Sequence, residues 1–275
     1  MPFRTLLLAL AALGATTSAP RPLAPFSSER NDYNLSLAAD ERLAVFARSD
    51  ADFAHAAIFV AERRGGSWSP PRPISFADPR FSDSDPWLTP DGLTLYFVSD
   101  RPAAAREADR SDLDIWRAQR LPNGGWSQPE HLGAGINGRG PELGPELHGN
   151  VLTFAAARRS GKGGLDIYAA PRVGSAFGPP ALLDGPFNGP ESDSDFTLSA
   201  DGRTAAFWRG SGGKGLIMVA RRTKTGWSEP AALGPTVNHG AFNFTPSFSA
   251  GGGRLFHASM AEGSTLADIF VAKLP

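Results

Sequence analysis

Along the chain, short stretches of alternating apolar and polar residues are separated by Gly, Pro, Asn and Asp. The segment SDSDPWLTPDGLTLYFVSDRP, Ser82 to Pro102, shows the unit: an alternating stretch, an Asp91-Gly92 turn and a second, aromatic-rich stretch. Period-two alternation on both sides of an Asp-Gly pair predicts a β-hairpin, because glycine adopts positive φ without a Cβ clash. A weaker copy, ESDSDFTLSADGRTAAFWRG, begins at Glu191.

Three columns extend the repeat along the chain. The aromatic after each turn recurs as Phe46, Phe97, Phe154 and Phe207, at intervals of 51, 57 and 53, and a fifth copy puts His257 there beside Phe256. The apolar pair of a third strand begins at Ile58, Ile115, Ile167, Ile217 and Ile269. A third column is Trp68, Trp126, Phe177 and Trp227, and its fixed place predicts packing between repeats. Each copy reads as four short strands, and a four-stranded repeat of roughly 40–50 residues is the propeller pattern. The expected fold is therefore all-β, a five-bladed β-propeller of four-stranded blades. It forms one domain over residues 20–275, with repeats near 29–81, 82–139, 140–189, 190–240 and 241–275. The fifth copy stops after ADIFVAKLP and lacks its fourth strand. PRPLAPFSSERND (residues 20–32) parallels PRPISFADPRFSD (residues 71–83) without a gap. Residues 20–28 are thus expected to supply the outer strand of the last blade and so close the ring, leaving no open edge.

TPDGLTLYFVSDRP followed by LDIW, with SADGRTAAF and GGLDIY, resembles the Pro-Asp (PD40) variant of the WD40-like propeller repeat of TolB-like exported proteins. The resemblance spans nearly all of residues 20–275 and implies a propeller that works as a binding platform. Where Asp-Gly becomes Asp40-Glu41, His148-Gly149 or Gly251-Gly252, altered turns are expected. TolB-type proteins also carry a separate N-terminal domain, for which this sequence has no room.

Composition narrows the partners. The 27 basic and 28 acidic residues leave a formal charge of −1, without the cationic excess that nucleic-acid binding needs. With no cysteine, disulfides, thiolate catalysis and cysteine-ligated metals are excluded. The start, MPFRTLLLALAALGATTSA, has the order of a secretory signal peptide over residues 1–19, and its apolar run is too short to span a membrane. A periplasmic or secreted monomer, with no membrane span in the mature chain, is expected.

Candidate chemistry is sparse. GAGING (residues 133–138) matches G-x-G-x-x-G but leads into a strand rather than a helix, and no G-x-S-x-G occurs. The five histidines form no metal-ligand pair by spacing, so no catalytic or metal-ligating residue is assigned. Arg48, Arg101, Arg158 and Arg209 follow the second strands, where pairing with the aspartates of the Asp-Ile pairs is expected. One column is a candidate ligand-binding ring: Asp32, Asp83, Glu142, Asp193 and Asn243, just before each innermost strand, with Trp87 and Arg101 beside it. Converging carboxylates would repel one another unless a cation or donors compensate. A calcium ion at the channel mouth is the one cofactor such a ring would hold. The competing role is to cap backbone N–H groups where each strand begins. The reading is a non-catalytic exported binding module for an envelope protein or a small polar ligand. The charged loop Asp100–Asp112 is expected to protrude toward such a partner. The alternative is a glycoside hydrolase using Asp32, Asp83 and Glu142, with Trp87 as a sugar platform.

Overall fold

The computed structural model describes residues 20–103, 112–251 and 253–274. Residues 1–19, where the signal peptide is expected, lie outside this range, as does most of the Asp100–Asp112 loop.

Among the described residues there is no helix, and the same three-stranded antiparallel meander occurs five times. The first is β1 (Asn31–Leu37), β2 (Leu43–Ser49) and β3 (Ala57–Arg64). The second is β4 (Asp83–Leu88), β5 (Thr94–Ser99) and β6 (Asp114–Gln119). The third is β7 (Glu142–His148), β8 (Val151–Ala156) and β9 (Asp166–Val173). The fourth is β10 (Ser192–Leu198), β11 (Thr204–Ser211) and β12 (Lys214–Thr223). The fifth is β13 (Phe242–Phe248), β14 (Arg254–Met260) and β15 (Ala267–Lys273). A single parallel bridge, Gly215 to Phe242, joins the fourth sheet to the fifth.

Short outer strands complete the first four sheets: Arg72–Pro73, Glu130–His131, Ala181–Leu182 and Ala231–Ala232. Beside each, an apolar residue donates its N–H to the isoleucine carbonyl of the third strand. Ile74 bonds Ile58, Leu132 bonds Ile115, Leu183 bonds Ile167 and Leu233 bonds Ile217, at 2.9–3.2 Å. Asn137, Asn188 and Asn238 bracket the N–H and C=O of the last three isoleucines. In the fifth sheet the N-terminal segment takes these positions. Leu23 N–H donates to Ile269 C=O at 2.7 Å, and Ser27 Oγ accepts from Ile269 N–H at 3.1 Å. The segment makes this contact through a turn rather than a regular strand, since Pro22 and Pro25 have no N–H to extend a ladder.

The buried faces follow the sequence columns. Phe46, Phe97, Phe154 and Phe207 are fully enclosed, each ring contributing about 1.5–3 kcal/mol by leaving water. Trp68 packs edge-on against Phe26 and Trp227 against Phe187, both at 5.2 Å, so these tryptophans tie the first repeat to the N-terminal segment and the fourth to the outer part of the third. In the first repeat Glu41 occupies the turn position of Gly92 and Gly202. It takes the same left-handed backbone, φ 53° against 69° and 67°. The Asp40-Glu41 turn thus keeps the shape of an Asp-Gly turn at the cost of local strain.

Candidate functional site

Each first strand, β1, β4, β7, β10 and β13, is interrupted by a β-bulge: the register shifts between Tyr33 and Ser36, Ser84 and Trp87, Leu143 and Glu146, Ser194 and Thr197, and Phe244 and Ser247. A bulge adds one residue to one strand and re-aims its side chain. In all five repeats that residue is left-handed: Asn34, Asp85, Gly144, Asp195 and Thr245, with φ between 49° and 54°. Asn, Asp and Gly are the types that tolerate this region, and Thr245 is the exception.

These residues bond from one repeat to the next. Gly144 N–H donates to Asp85 Oδ2 at 2.9 Å, and Asn34 N–H donates to Thr245 Oγ1 at 3.2 Å. Thr245 N–H hydrogen-bonds Asp195. Gly144 has no side chain to offer, and a Cβ there would lie 2.8 Å from Asp195 Oδ1. Asn34 Oδ1 is buried without a partner.

Asn34, Asp85, Gly144, Glu146, Asp195 and Thr245 surround a space of about 20 Å³, which is room for about one water molecule. It shares Ser36, Trp87, Glu146 and Ser247 with a wider cavity of about 600 Å³. That cavity has walls of Trp87, Leu88, His148, Leu198 and Phe248, with Ser36, Thr197, Ser199 and Ser249 supplying hydroxyls. No Lys or Arg lines either space. Burial therefore dominates the titration. The Glu146 carboxyl is held well above its ordinary value, Asp85 is raised, and Asp195 is pushed up to about 7 by burial and by the nearby Asp85. Burial lowers His148 to about 4. Its Nε2 lies 3.2 Å from Glu146 Oε2 without the alignment of a hydrogen bond. Burial raises the carboxyl and lowers the imidazole, so both shifts work against an ion pair at this contact.

The column singled out from the sequence lies two residues before each bulge. Asp32, Asp83, Glu142 and Asp193 are buried, and each meets an arginine: Arg48 at 2.6 Å, Arg101 at 2.6 Å, Arg158 at 3.0 Å and Arg209 at 2.6 Å. Three of them also accept from groups just upstream: Asp32 from Ser28, Glu142 from Gly138 N–H and Asp193 from Gly189 N–H. Asn243 accepts from Ser259 Oγ at 2.8 Å and from Gly240 N–H. These residues do not line the two central cavities; Trp87 lines both. Arg101 reaches both Asp83 oxygens and stacks over Phe76, Phe97 and Trp116. Burial, not mutual repulsion, raises the four carboxyls, Glu142 to about 7. The arginines thus pair with this column, while the Asp-Ile aspartates bind elsewhere: Asp114 meets His131, and Asp166 accepts from the N–H groups of Lys162 and Gly163. Among the described residues, no group of three or more His, Asp or Glu is placed to hold a metal ion.

Asp85, Glu146 and Asp195 are not among the candidates drawn from the sequence, where His148 figures only as a turn residue and an unpaired histidine. A signal existed: aligned copies carry Asn34, Asp85, Gly144 and Asp195, three residue types that favour left-handed backbone.

No family model matches the chain, and no curated protein matches it. Solved structures do. TolB from Acinetobacter baumannii superposes with a TM-score of 0.52 at 17% identity, over 90% of this chain and 55% of that one. A putative TolB from Agrobacterium tumefaciens gives 0.53 at 14% identity, over 90% and 78%. A thermostable family-43 glycoside hydrolase gives 0.62 at 11% identity, over 94% and 93%. The fold is a β-propeller. The likeness reaches the fold alone, and the chain spans about half the length of the Acinetobacter TolB. The five bulges sit on the first strands of their meanders, and the two cavities are lined from those strands and the turns that follow them.

Proposed function

We propose that the chain is an exported, TolB-like, five-bladed propeller, closed by residues 20–28 on the last blade. It acts as a non-catalytic binding module that takes a small polar ligand, or a protruding group of an envelope protein, in the 600 Å³ cavity. The observation that carries this reading is the step in width at Glu146. Asp85 and Asp195 lie beside a space that holds one water, too narrow for a sugar ring. Of the buried carboxyls only Glu146 lines both the narrow and the wide space. A glycosidase needs two carboxyl groups flanking the scissile bond, and the wide cavity offers one. The periplasm or the medium is the expected location, with residues 1–19 as signal peptide and residues 20–275 as the domain.

The glycoside-hydrolase reading keeps one point in its favour, because Trp87 and Glu146 share a cavity in a fold similar to a family-43 enzyme. A screen separates the two. Purified protein is melted against a panel of neutral and charged small ligands and incubated with aryl glycosides. Stabilisation by a ligand, lost in Trp87→Ala, supports the binding module. Aryl-glycoside turnover that disappears in Glu146→Gln would overturn it.

A further inference from the structure

The narrow space between the first strands combines three properties that a single ligand chemistry matches. Its volume of about 20 Å³ admits a group the size of one water. Its polar lining is made of oxygens: the carboxyls of Asp85, Glu146 and Asp195, the hydroxyls of Ser36, Thr245 and Ser247, and the Asn34 Oδ1 that lacks a donor. No Lys or Arg lines the space or the cavity beyond it, so no protein cation serves these carboxyls from the lining. A buried acceptor without a donor, next to several carboxyls and a gap, is an incomplete network.

We propose that this space receives the primary ammonium group of an alkylamine entering through the wide cavity; the proposal rests on the binding-module reading above. An ammonium carries three donors and no acceptor, which complements a set of oxygens. A guanidinium is planar and larger and exceeds the space. The methylene stem lies along Trp87, Leu88, Leu198 and Phe248 in the wide cavity, where it leaves water as the charged head meets the carboxyls. The absence of a Cβ at Gly144 keeps the space open beside Asp195. The titratable groups facing the head are Asp85, Glu146 and Asp195, with His148 against Glu146 and Tyr33 close to Asp85. Binding draws the carboxyls into their ionised forms, so protons leave as the amine binds. The amine therefore binds more tightly as pH rises from 5.5 toward 7.5.

Two sources supply this chemistry, a free amine and the lysine side chain of a peptide. Calorimetric titration of the protein with hexylamine, hexanol, hexanoate and a capped pentapeptide with one central lysine separates them. Hexylamine is expected to bind at least tenfold more tightly than hexanol or hexanoate, with a heat that varies with the ionisation enthalpy of the buffer. The Asp195→Asn, Glu146→Gln double variant is expected to lose at least tenfold in affinity for hexylamine. Its fold is checked by circular dichroism, and the ligand series decides the matter if it fails to fold. Tighter binding of the lysine peptide than of hexylamine supports the proposal and identifies a peptide source. Equal affinity for hexanol and hexylamine, or no amine binding, overturns it. If amines fail while another ligand still stabilises the protein through Trp87, the binding-module reading stands without this site.

Discussion

At the scale of single residues, four repeats solve one problem with charge and the fifth solves it without. Asp193 is fully enclosed and Arg209 only partly, while Asn243 and Ser259 occupy the equivalent places with a neutral bond. Removing one partner of a buried pair strands the other charge, so Arg209→Ser should destabilise the protein by about 3–5 kcal/mol in urea unfolding. Asp193→Asn combined with Arg209→Ser copies the fifth repeat and should recover most of that loss. An additive double variant would show that the pair is not coupled. Titration makes a second prediction. Burial lowers His257 to about 3 and His148 to about 4 from 6.5, so the stability these neutral rings bring is present above 6.5 and lost as pH falls toward 4. Asp195, raised from 3.8 to about 7, has the opposite sign: its contribution is full below 3.8 and declines as pH rises to 7. His257→Phe, which restores the aromatic of the other four repeats, should therefore stabilise more at pH 5 than at pH 8, and Asp195→Asn more at pH 8 than at pH 5. Melting temperatures across that range check both. The acidic column was legible because it repeats, but its pairing was not, since the arginines lie on or just beyond the end of the neighbouring strand.

Elements were read more easily than their irregularities. The aromatic and isoleucine columns mark buried faces, and packing forces those positions to recur. A bulge leaves a fainter trace, the Asn, Asp or Gly of its left-handed position: it adds one residue and shifts the inward face, moving the centre of the molecule two positions past the column the alternation suggested. The N-terminal segment was legible as a parallel to Pro71–Asp83, and Leu23, Phe26 and Ser27 occupy the places of an outer element on β15. Deleting residues 20–28 removes the buried Phe26 ring and the bonds to Ile269. It should lower the melting temperature and broaden the transition. Ser27→Ala alone should cost about 1–2 kcal/mol. A deletion that melts like the full chain would show this segment to be a dispensable tail.

For the whole molecule, the side chains of four bulge residues and the gap at Gly144 set the width of the centre. A methyl group at Gly144 meets Asp195 and sits at φ +54°, so Gly144→Ala should destabilise by about 1–3 kcal/mol. Gly202→Ala, left-handed but in open space, should cost less. Function was less legible than fold because the residues that line the cavities come from all five repeats and differ in each, whereas the scaffold columns are shared. The tryptophans that bridge adjacent repeats have one more consequence, an optical one. Trp68 lies against Phe26 of the N-terminal segment, Trp126 packs in one cluster with Ile74 and Phe76 of the first repeat and donates its backbone N–H to Ser75 Oγ, and Trp227 lies against Phe187 of the third. Variants that keep one of these indoles and replace the other tryptophans with phenylalanine would each emit from a different junction. A red shift of that emission on dilute urea would then tell which junction takes up solvent first.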